Sequence, residues 1–133
     1  MKKVMIAPGR YVQGPGVMAD LGAHLAKLGT KALILGGQRG ISAVKATLET
    51  SLQENNLAAQ FINFGGECSN DEIAIIVAAA KQDDCDIIVG VGGGKALDTA
   101  KAAAYTAKLP VAIVPTIAAT DAPCSALSVI YSP

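Results

Sequence analysis

Short apolar runs alternate along the chain with longer segments in which apolar residues recur every three or four positions. Uninterrupted apolar runs bounded by glycine or proline are typical of strands buried on both faces of a sheet. Apolar residues at helical spacing predict amphipathic helices that cover those faces. The alternation therefore predicts an α/β fold in which a Rossmann-like parallel sheet carries helices on both faces.

The pattern places the individual elements. Strands are predicted at residues 2–7 (which 10–14 extend or pair with), 31–37, 58–66, 85–93 and 110–116, and residues 126–131 are a candidate for one more. Helices are predicted at residues 14–29, 41–55, 69–82 and 95–107, with Gly29 ending the first and Ser69 or Asn70 capping the third. The stripes predicted to face the core are Val17, Leu21, Leu25 and Leu28, then Ile41, Val44, Leu48 and Leu52, then Ile73, Ile76, Val77 and Ala80.

The composition fits one compact domain over residues 1–133, because 51% of the residues are hydrophobic and only 17% are charged. Lys plus Arg equals Asp plus Glu at 11 each, so no net field attracts nucleic acid or an anionic membrane. Charges or glycines interrupt every apolar run before it reaches membrane-spanning length, and the run near the start is too short for a signal peptide. We therefore expect neither nucleic acid nor membrane as a partner.

The three cysteines, Cys68, Cys85 and Cys124, lack C-x-x-C spacing. An odd number of cysteines without that spacing indicates free thiols in a reducing compartment. We interpret all three as small buried hydrophobic residues and expect the protein to be cytoplasmic.

The segment IIVGVGGGKALDTAK, residues 87–101, runs an apolar strand into three consecutive glycines and a lysine. It fails the P-loop template, because Ala96 stands where a serine or threonine is needed and Val89 where the first glycine is needed. It fails the G-x-G-x-x-G fingerprint by one position, because Lys95 stands in place of the last glycine. Neither phosphate-binding motif is matched.

The physical basis of both motifs is nevertheless present. Gly92, Gly93 and Gly94 can take positive φ angles and let a ligand approach the backbone. The following helix directs its first N–H groups and its positive dipole end into that space, which favours an anion. Lys95 is unfavourable beside the dipole, so a phosphate or carboxylate partner is expected for it. The alternative is an ordinary glycine turn with a surface pair between Lys95 and Asp98.

The stretches GVGGGKALDTAK and PVAIVPTIAATDAPCSALSVIY closely resemble the glycerol dehydrogenases of the iron-containing (group III) alcohol dehydrogenase family. PGRYVQG and FGGECS are also similar to that family, so the resemblance covers essentially the whole chain. It implies a dehydroquinate synthase-like N-terminal domain that binds NAD. It also implies a C-terminal helical domain holding a divalent metal, usually zinc, in a homo-oligomer that oxidises glycerol to dihydroxyacetone.

The resemblance also implies roles for individual residues. Gly93, Gly94 and Lys95 would line the pyrophosphate with Gly92 beside them, and Asp98 would support this turn or face the nicotinamide. The remaining implied roles are adenosine contact for Thr116, glycerol contact for Asp121, and the nicotinamide side of the cleft for Ser125, Leu127 and Tyr131. From the residues alone, Thr116 and Asp121 follow a predicted strand, where ligands of parallel sheets bind. The alternative for Asp121 is the cap of a turn before Pro123, and the alternatives for Leu127 and Tyr131 are an ordinary core residue and an ordinary strand aromatic.

Two features depart from the family's pattern. Where glycerol dehydrogenases commonly carry an acidic residue that binds the adenosine ribose, this chain has Gly37, followed by Gln38 and Arg39. A missing carboxylate beside an arginine suits the 2′-phosphate of NADP, so NADP or relaxed cofactor choice is a hypothesis, with a solvated Arg39 as the alternative.

The second departure concerns the metal. The family's ligands, an aspartate and two histidines, belong to a region beyond this chain, whose one histidine, His24, is interpreted as a structural residue of the first helix. We therefore expect no metal ligands and no dehydrogenase activity in this chain alone. Because the sequence stops at Pro133 without a helical or charged finish, we interpret it as part of a larger enzyme. The alternative is a non-catalytic, truncated module that binds nucleotide or pairs with another chain.

Overall fold

The computed structural model describes residues 8–14, 21–115 and 125–130, and within them one sheet of six strands packs against helices. The strand order across the sheet is β1-β6-β5-β4-β2-β3. None of the helices in these ranges is long and apolar enough to cross a membrane. In chain order the elements are β1 (Pro8–Gly14), α1 (Leu21–Leu25), β2 (Lys31–Gly36), α2 (Gln38–Glu54), β3 (Ala58–Asn63), α3 (Asn70–Gln82), β4 (Ile87–Gly92), α4 (Gly94–Ala107), β5 (Val111–Pro115) and β6 (Ser125–Ile130).

The predicted elements from β2 to β6 are confirmed, although several end or begin a few residues away from the predicted positions. The Ser69 hydroxyl accepts the Glu72 N–H at 3.1 Å, which confirms Ser69 as the cap of α3. The Gly29 N–H donates to the Leu25 carbonyl at 3.2 Å and closes the turn after α1, as predicted. The predicted strand at residues 2–7 and residues 15–20 of the first predicted helix lie outside the described residues.

The predicted parallel sheet is confirmed for β3, β2, β4 and β5, and the structure adds an antiparallel pair at one edge. Strand β6 runs antiparallel to both β5 and β1. The physical reason lies in the length of the connection. A parallel crossover takes about a dozen residues or more, whereas only residues 116–124 separate β5 from β6. This candidate strand can therefore pair only in the antiparallel sense with its neighbour.

Two apolar cores lie on opposite faces of the sheet. Successive strand residues alternate between them, so Ile34 and Val89 enter one core while Leu33 and Ile88 enter the other. Of the predicted stripes, α1 and α2 cover the first core with Leu21, Leu25, Leu48 and Leu52, and α3 covers the second with Ile76, Val77 and Ala80, where Ala100 and Ala103 of α4 join it. The stripe residues Leu28, Ile41, Val44 and Ile73 are partly buried against the same cores, and Val17 lies outside the described residues. The helices α2 and α4 therefore lie on opposite faces.

Asp86, the residue before β4, ties the starts of two neighbouring strands together. Its carboxylate accepts the N–H groups of Thr30 at 3.0 Å and Lys31 at 2.9 Å, and the Thr30 hydroxyl at 3.2 Å. Hydrogen bonds to a charged acceptor are stronger than neutral ones. These hydrogen bonds fix the register between β2 and β4 at the end of the sheet opposite the glycine turn.

Replacing the Asp86 carboxylate by an amide tests the contribution of these hydrogen bonds to stability. Asp86→Asn should lower the free energy of unfolding by about 1–2 kcal/mol, because the amide turns an NH₂ group toward backbone donors. Urea denaturation followed by circular dichroism measures the change. Asp84→Asn is the matched control: Asp84 is exposed at φ 55°, a conformation that asparagine tolerates, so the loss should stay below about 0.5 kcal/mol. Equal losses in the two variants would show that Asp86 has no special role.

Candidate functional site

The strand order creates a crevice at the carboxyl ends of β2 and β4. These strands are neighbours, with Gly36 in register with Val91. After β2 the chain continues into α2 on one face of the sheet, and after β4 it continues into α4 on the other face. In open α/β sheets, ligands bind where successive connections depart to opposite faces in this way. The glycine turn lies at this point, although it follows a late strand of the chain.

The glycines of the turn have different conformations. Gly92 has φ 129°, a left-handed conformation that favours glycine. Gly93 is the extended N-cap of α4 at φ −88° and ψ −173°, and Gly94 is the first helical residue. Of the three glycines that can take positive φ, only Gly92 uses this freedom. A Cβ on Gly93 or Gly94 would meet no heavy atom within 4 Å, so open space lies above the turn.

The N-terminus of α4 faces this open space without a side-chain cap. The first turn holds no acidic residue, and Gly93 makes no capping hydrogen bond through a side chain. The Leu97 N–H donates to the Gly93 carbonyl at 3.1 Å and begins the i→i−4 hydrogen bonds of α4. The N–H groups of Gly94, Lys95 and Ala96 come before this series, so the helix itself provides no acceptor for them. Those N–H groups and the positive dipole end form an arrangement suited to an anion.

The Lys95 ammonium pairs with a carboxylate, and the partner is Glu67 rather than Asp98. Its Nζ lies 3.1 Å from Oε2 and 3.3 Å from Oε1 of Glu67, in the loop between β3 and α3. Asp98 instead pairs with Lys101 at 3.7 Å. An acidic residue placed N-terminal to its basic partner on a helix is the favoured orientation, which explains why Asp98 pairs forward rather than back to Lys95. The alternative interpretation, a surface pair between Lys95 and Asp98, is therefore not what the structure has.

Gly90, which stands at the first position of the unmatched G-x-G-x-x-G fingerprint, has a packing role. A Cβ at this position would lie 2.6 Å from the Cβ of Ala100 in α4. Gly90 therefore allows α4 to approach β4 closely. The signal that points to this role is the run of small residues on the facing helix, because Ala96, Ala100, Ala103 and Ala104 are all buried.

A second open helix end lies on the other side of the crevice. Gly37 is the extended N-cap of α2, and a Cβ on it would meet no heavy atom within 4 Å. The first turn of α2 holds no acidic residue and includes Arg39, which is exposed. Beside it lies a cavity of about 370 Å³ between the start of α2 and the end of β3, with Lys45 on its wall. The Lys45 Nζ is 5.1 Å from the centroid of the Phe61 ring.

The remaining predicted site residues are only partly within the described ranges. Ser125 and Leu127 lie on β6, in register with Gly14 and Val12 of β1. Because β5 separates β6 from β4, these two positions are two strands away from the glycine turn. The other predicted residues, Thr116, Asp121 and Tyr131, lie outside the described residues.

His24 and the acidic and thiol side chains are the candidates for holding a metal ion. His24 is half-buried on α1, as expected for a structural residue. Within the described ranges, no three side chains of His, Cys, Asp or Glu lie close enough together to hold a metal ion.

Cys85 is a buried free thiol whose pKa is raised by burial, partly offset by Lys31. Cys68 is free but exposed, so its predicted burial is wrong; it belongs to the polar loop before α3. Cys124 lies outside the described residues.

Known proteins resemble this chain in sequence and in fold. Residues 8–133 match the family model described as iron-containing alcohol dehydrogenase. The chain is 46% identical to a glycerol dehydrogenase of Escherichia coli O6:H1, over 99% of this chain and 36% of that protein. It superimposes on glycerol dehydrogenase from Schizosaccharomyces pombe with a TM-score of 0.76 at 33% identity, over 90% of this chain and 31% of that one. A probable glycerol dehydrogenase from Sinorhizobium meliloti 1021 matches with a TM-score of 0.68 at 41% identity, over 83% and 29% respectively. The chain thus spans about a third of the length of the curated relatives it matches.

The packing role of Gly90 can be tested by adding a single methyl group. Gly90→Ala should lower the free energy of unfolding by about 1–3 kcal/mol, because the new Cβ forces α4 away from β4. Gly94→Ala is the control, since its Cβ meets open space at a helical position and should leave stability unchanged or raise it by up to about 1 kcal/mol. Urea denaturation compares the two variants. A Gly90→Ala chain as stable as the parent would contradict the packing role.

Proposed function

The chain belongs to the iron-containing alcohol dehydrogenase family, and we propose that it is the dinucleotide-binding portion of a glycerol dehydrogenase-like oxidoreductase. The observation that carries the proposal is the uncapped glycine turn at the crevice between β2 and β4. An anionic cofactor explains the open space above Gly93 and Gly94 and the lysine in the first turn of α4. The complete enzyme would oxidise glycerol to dihydroxyacetone.

The residues of the turn fit the pyrophosphate of a dinucleotide. The N–H groups of Gly94, Lys95 and Ala96 would donate to its oxygens, and the Lys95 ammonium would neutralise part of its charge. No Cβ at Gly93 or Gly94 obstructs this approach. A bound dinucleotide would supply a hydride acceptor for the alcohol, and the residues of this turn would hold and orient it.

The other site residues enter the proposal through the family resemblance. Thr116 would contact the adenosine portion, and Asp98, Ser125, Leu127 and Tyr131 would support or line the cleft on the nicotinamide side. Asp121 would bind the glycerol hydroxyls. The family's divalent metal, zinc or another, is assigned to no residue here, because no described cluster fits one. Its ligands would belong to the C-terminal helical domain, so we expect no glycerol oxidation by these 133 residues alone.

We also propose a cellular compartment and partners for the enzyme. The two cysteines in the described ranges are both free, which favours a reducing compartment such as the cytoplasm. The proposed partners are a small polyol, a dinucleotide and further copies of the same chain.

For the cofactor itself, we propose NAD with NADP also accepted. An aspartate or glutamate at position 37 would bind the ribose hydroxyls of NAD and repel a 2′-phosphate, and Gly37 does neither. The uncapped start of α2 and the exposed Arg39 instead provide N–H groups and a positive charge beside the same position. Both features favour tolerance of the additional phosphate.

Calorimetric titration of the purified chain with NAD tests the proposed cofactor site. Lys95→Met should weaken NAD binding about tenfold, because one charge-assisted contact to phosphate is lost while the unbranched shape of the side chain is kept. Lys27→Met removes the same charge from an exposed turn after α1 and should leave the affinity unchanged. A parent chain that binds neither NAD nor NADP would overturn the proposal, as would unchanged affinity in Lys95→Met.

Titrations with NAD and NADP side by side test the proposed cofactor tolerance. The parent should bind the two within about tenfold of each other, and Gly37→Asp should weaken NADP binding by about tenfold or more through charge repulsion with the 2′-phosphate. Arg39→Gln should weaken the binding of NADP and not that of NAD. A strong preference of the parent for NAD would refute the tolerance while leaving the dinucleotide site itself intact.

A further inference from the structure

The ion pair between Lys95 and Glu67 joins the turn after β4 to the loop after β3. Both carboxylate oxygens of Glu67 lie within reach of the Lys95 Nζ, at 3.1 and 3.3 Å. The two residues are 28 positions apart in the chain. The pair therefore exists only because the fold places the two loops side by side at the carboxyl edge of the sheet.

The loop that carries Glu67 is held in place by its own contacts. The Gly65 N–H donates to Glu72 Oε2 at 2.8 Å, and the Ser69 N–H donates to the Glu67 carbonyl at 3.1 Å. Gly66 has φ 103°, a conformation that favours glycine. These contacts hold the backbone of Glu67 and leave its side chain facing Lys95.

The pair itself is weak. The side chains of Lys95 and Glu67 are 65% and 75% exposed, and exposed ion pairs contribute little to stability because water and salt screen them. Such a pair opens readily when a stronger partner for the ammonium arrives. A dinucleotide pyrophosphate at the N-terminus of α4 is such a partner, because it brings negative charge to the same ammonium.

We propose that Glu67 is a positioning residue that acts through Lys95, by holding the ammonium beside the glycine turn and competing with the cofactor phosphates for it. This inference rests on the proposed dinucleotide site. Since the carboxylate and the pyrophosphate are both anions, binding of the cofactor displaces Glu67 from Lys95. Glu67 therefore limits the affinity for the dinucleotide and favours its release, which a dehydrogenase needs once in every turnover.

Removal of the Glu67 charge should strengthen NAD binding, and this effect should require Lys95. Glu67→Gln keeps the shape of the side chain and removes its charge, so NAD should bind about two- to fivefold more tightly. The gain should shrink as ionic strength rises from about 0.05 M to about 0.5 M, because salt screens the exposed pair. The gain should also vanish when Lys95 is already methionine, since Glu67 then has no ammonium to hold.

A double-mutant cycle tests the proposal in the 133-residue chain. NAD affinities are measured by calorimetry for the parent, Glu67→Gln, Lys95→Met and the double variant, at low and high salt. Glu49→Gln, which removes the same charge from an exposed position on α2, is the control and should bind NAD as the parent does. Thermal unfolding of each variant shows whether the fold is retained.

Tighter binding by Glu67→Gln that disappears in the Lys95→Met background supports the proposal. A gain of equal size in both backgrounds overturns it, because Glu67 would then act on the cofactor without Lys95. Unchanged or weaker binding by Glu67→Gln overturns it as well. In each of these cases NAD binding by the parent leaves the proposed function standing, whereas a parent that binds no dinucleotide contradicts the proposed function first.

Discussion

The close packing of α4 against β4 determines the geometry of the candidate site. Gly90 has no side chain, and the facing surface of the helix consists of buried alanines, so the helix lies near the sheet. Gly93 is the one residue between the end of β4 and the start of α4. The chain therefore turns from strand to helix without a loop, and the first N–H groups of α4 emerge directly at the crevice. A bulkier residue at position 90 would displace the helix and these N–H groups together.

The parts of this fold that depend on local pattern could be predicted from the sequence. The apolar runs of β2 and β4 are buried on both faces, and the stripe of Ile76, Val77 and Ala80 faces the core as its spacing indicates. The cap at Ser69 is also a local feature, because its hydroxyl bonds to the N–H three residues later. In the candidate site, the turn and its uncapped helix were predictable for the same reason.

Features that depend on which segments become neighbours in space could not be predicted. Lys95 was expected to have an anionic partner, but its sequence neighbour Asp98 was the only candidate that spacing suggested. Glu67 becomes the partner because β3 and β4 both end at one edge of the sheet, on either side of β2. The packing role of Gly90 likewise depends on the helix that follows. A glycine needed for packing and a glycine needed for ligand access look identical in a sequence.

The helices that begin at the carboxyl edge of the sheet differ in how their first turns are capped. The N-terminus of α3 has the features that stabilise a helix: the Ser69 cap, and Asp71 and Glu72 in the first turn. The N-termini of α2 and α4 have neither a side-chain cap nor an acidic residue, although a cap contributes about 1 kcal/mol. These are the two helices that follow β2 and β4, the strands that border the crevice.

An anionic ligand bound in the crevice would supply the missing negative charge to both helices. The stability absent from the free chain would then appear as binding energy for the ligand.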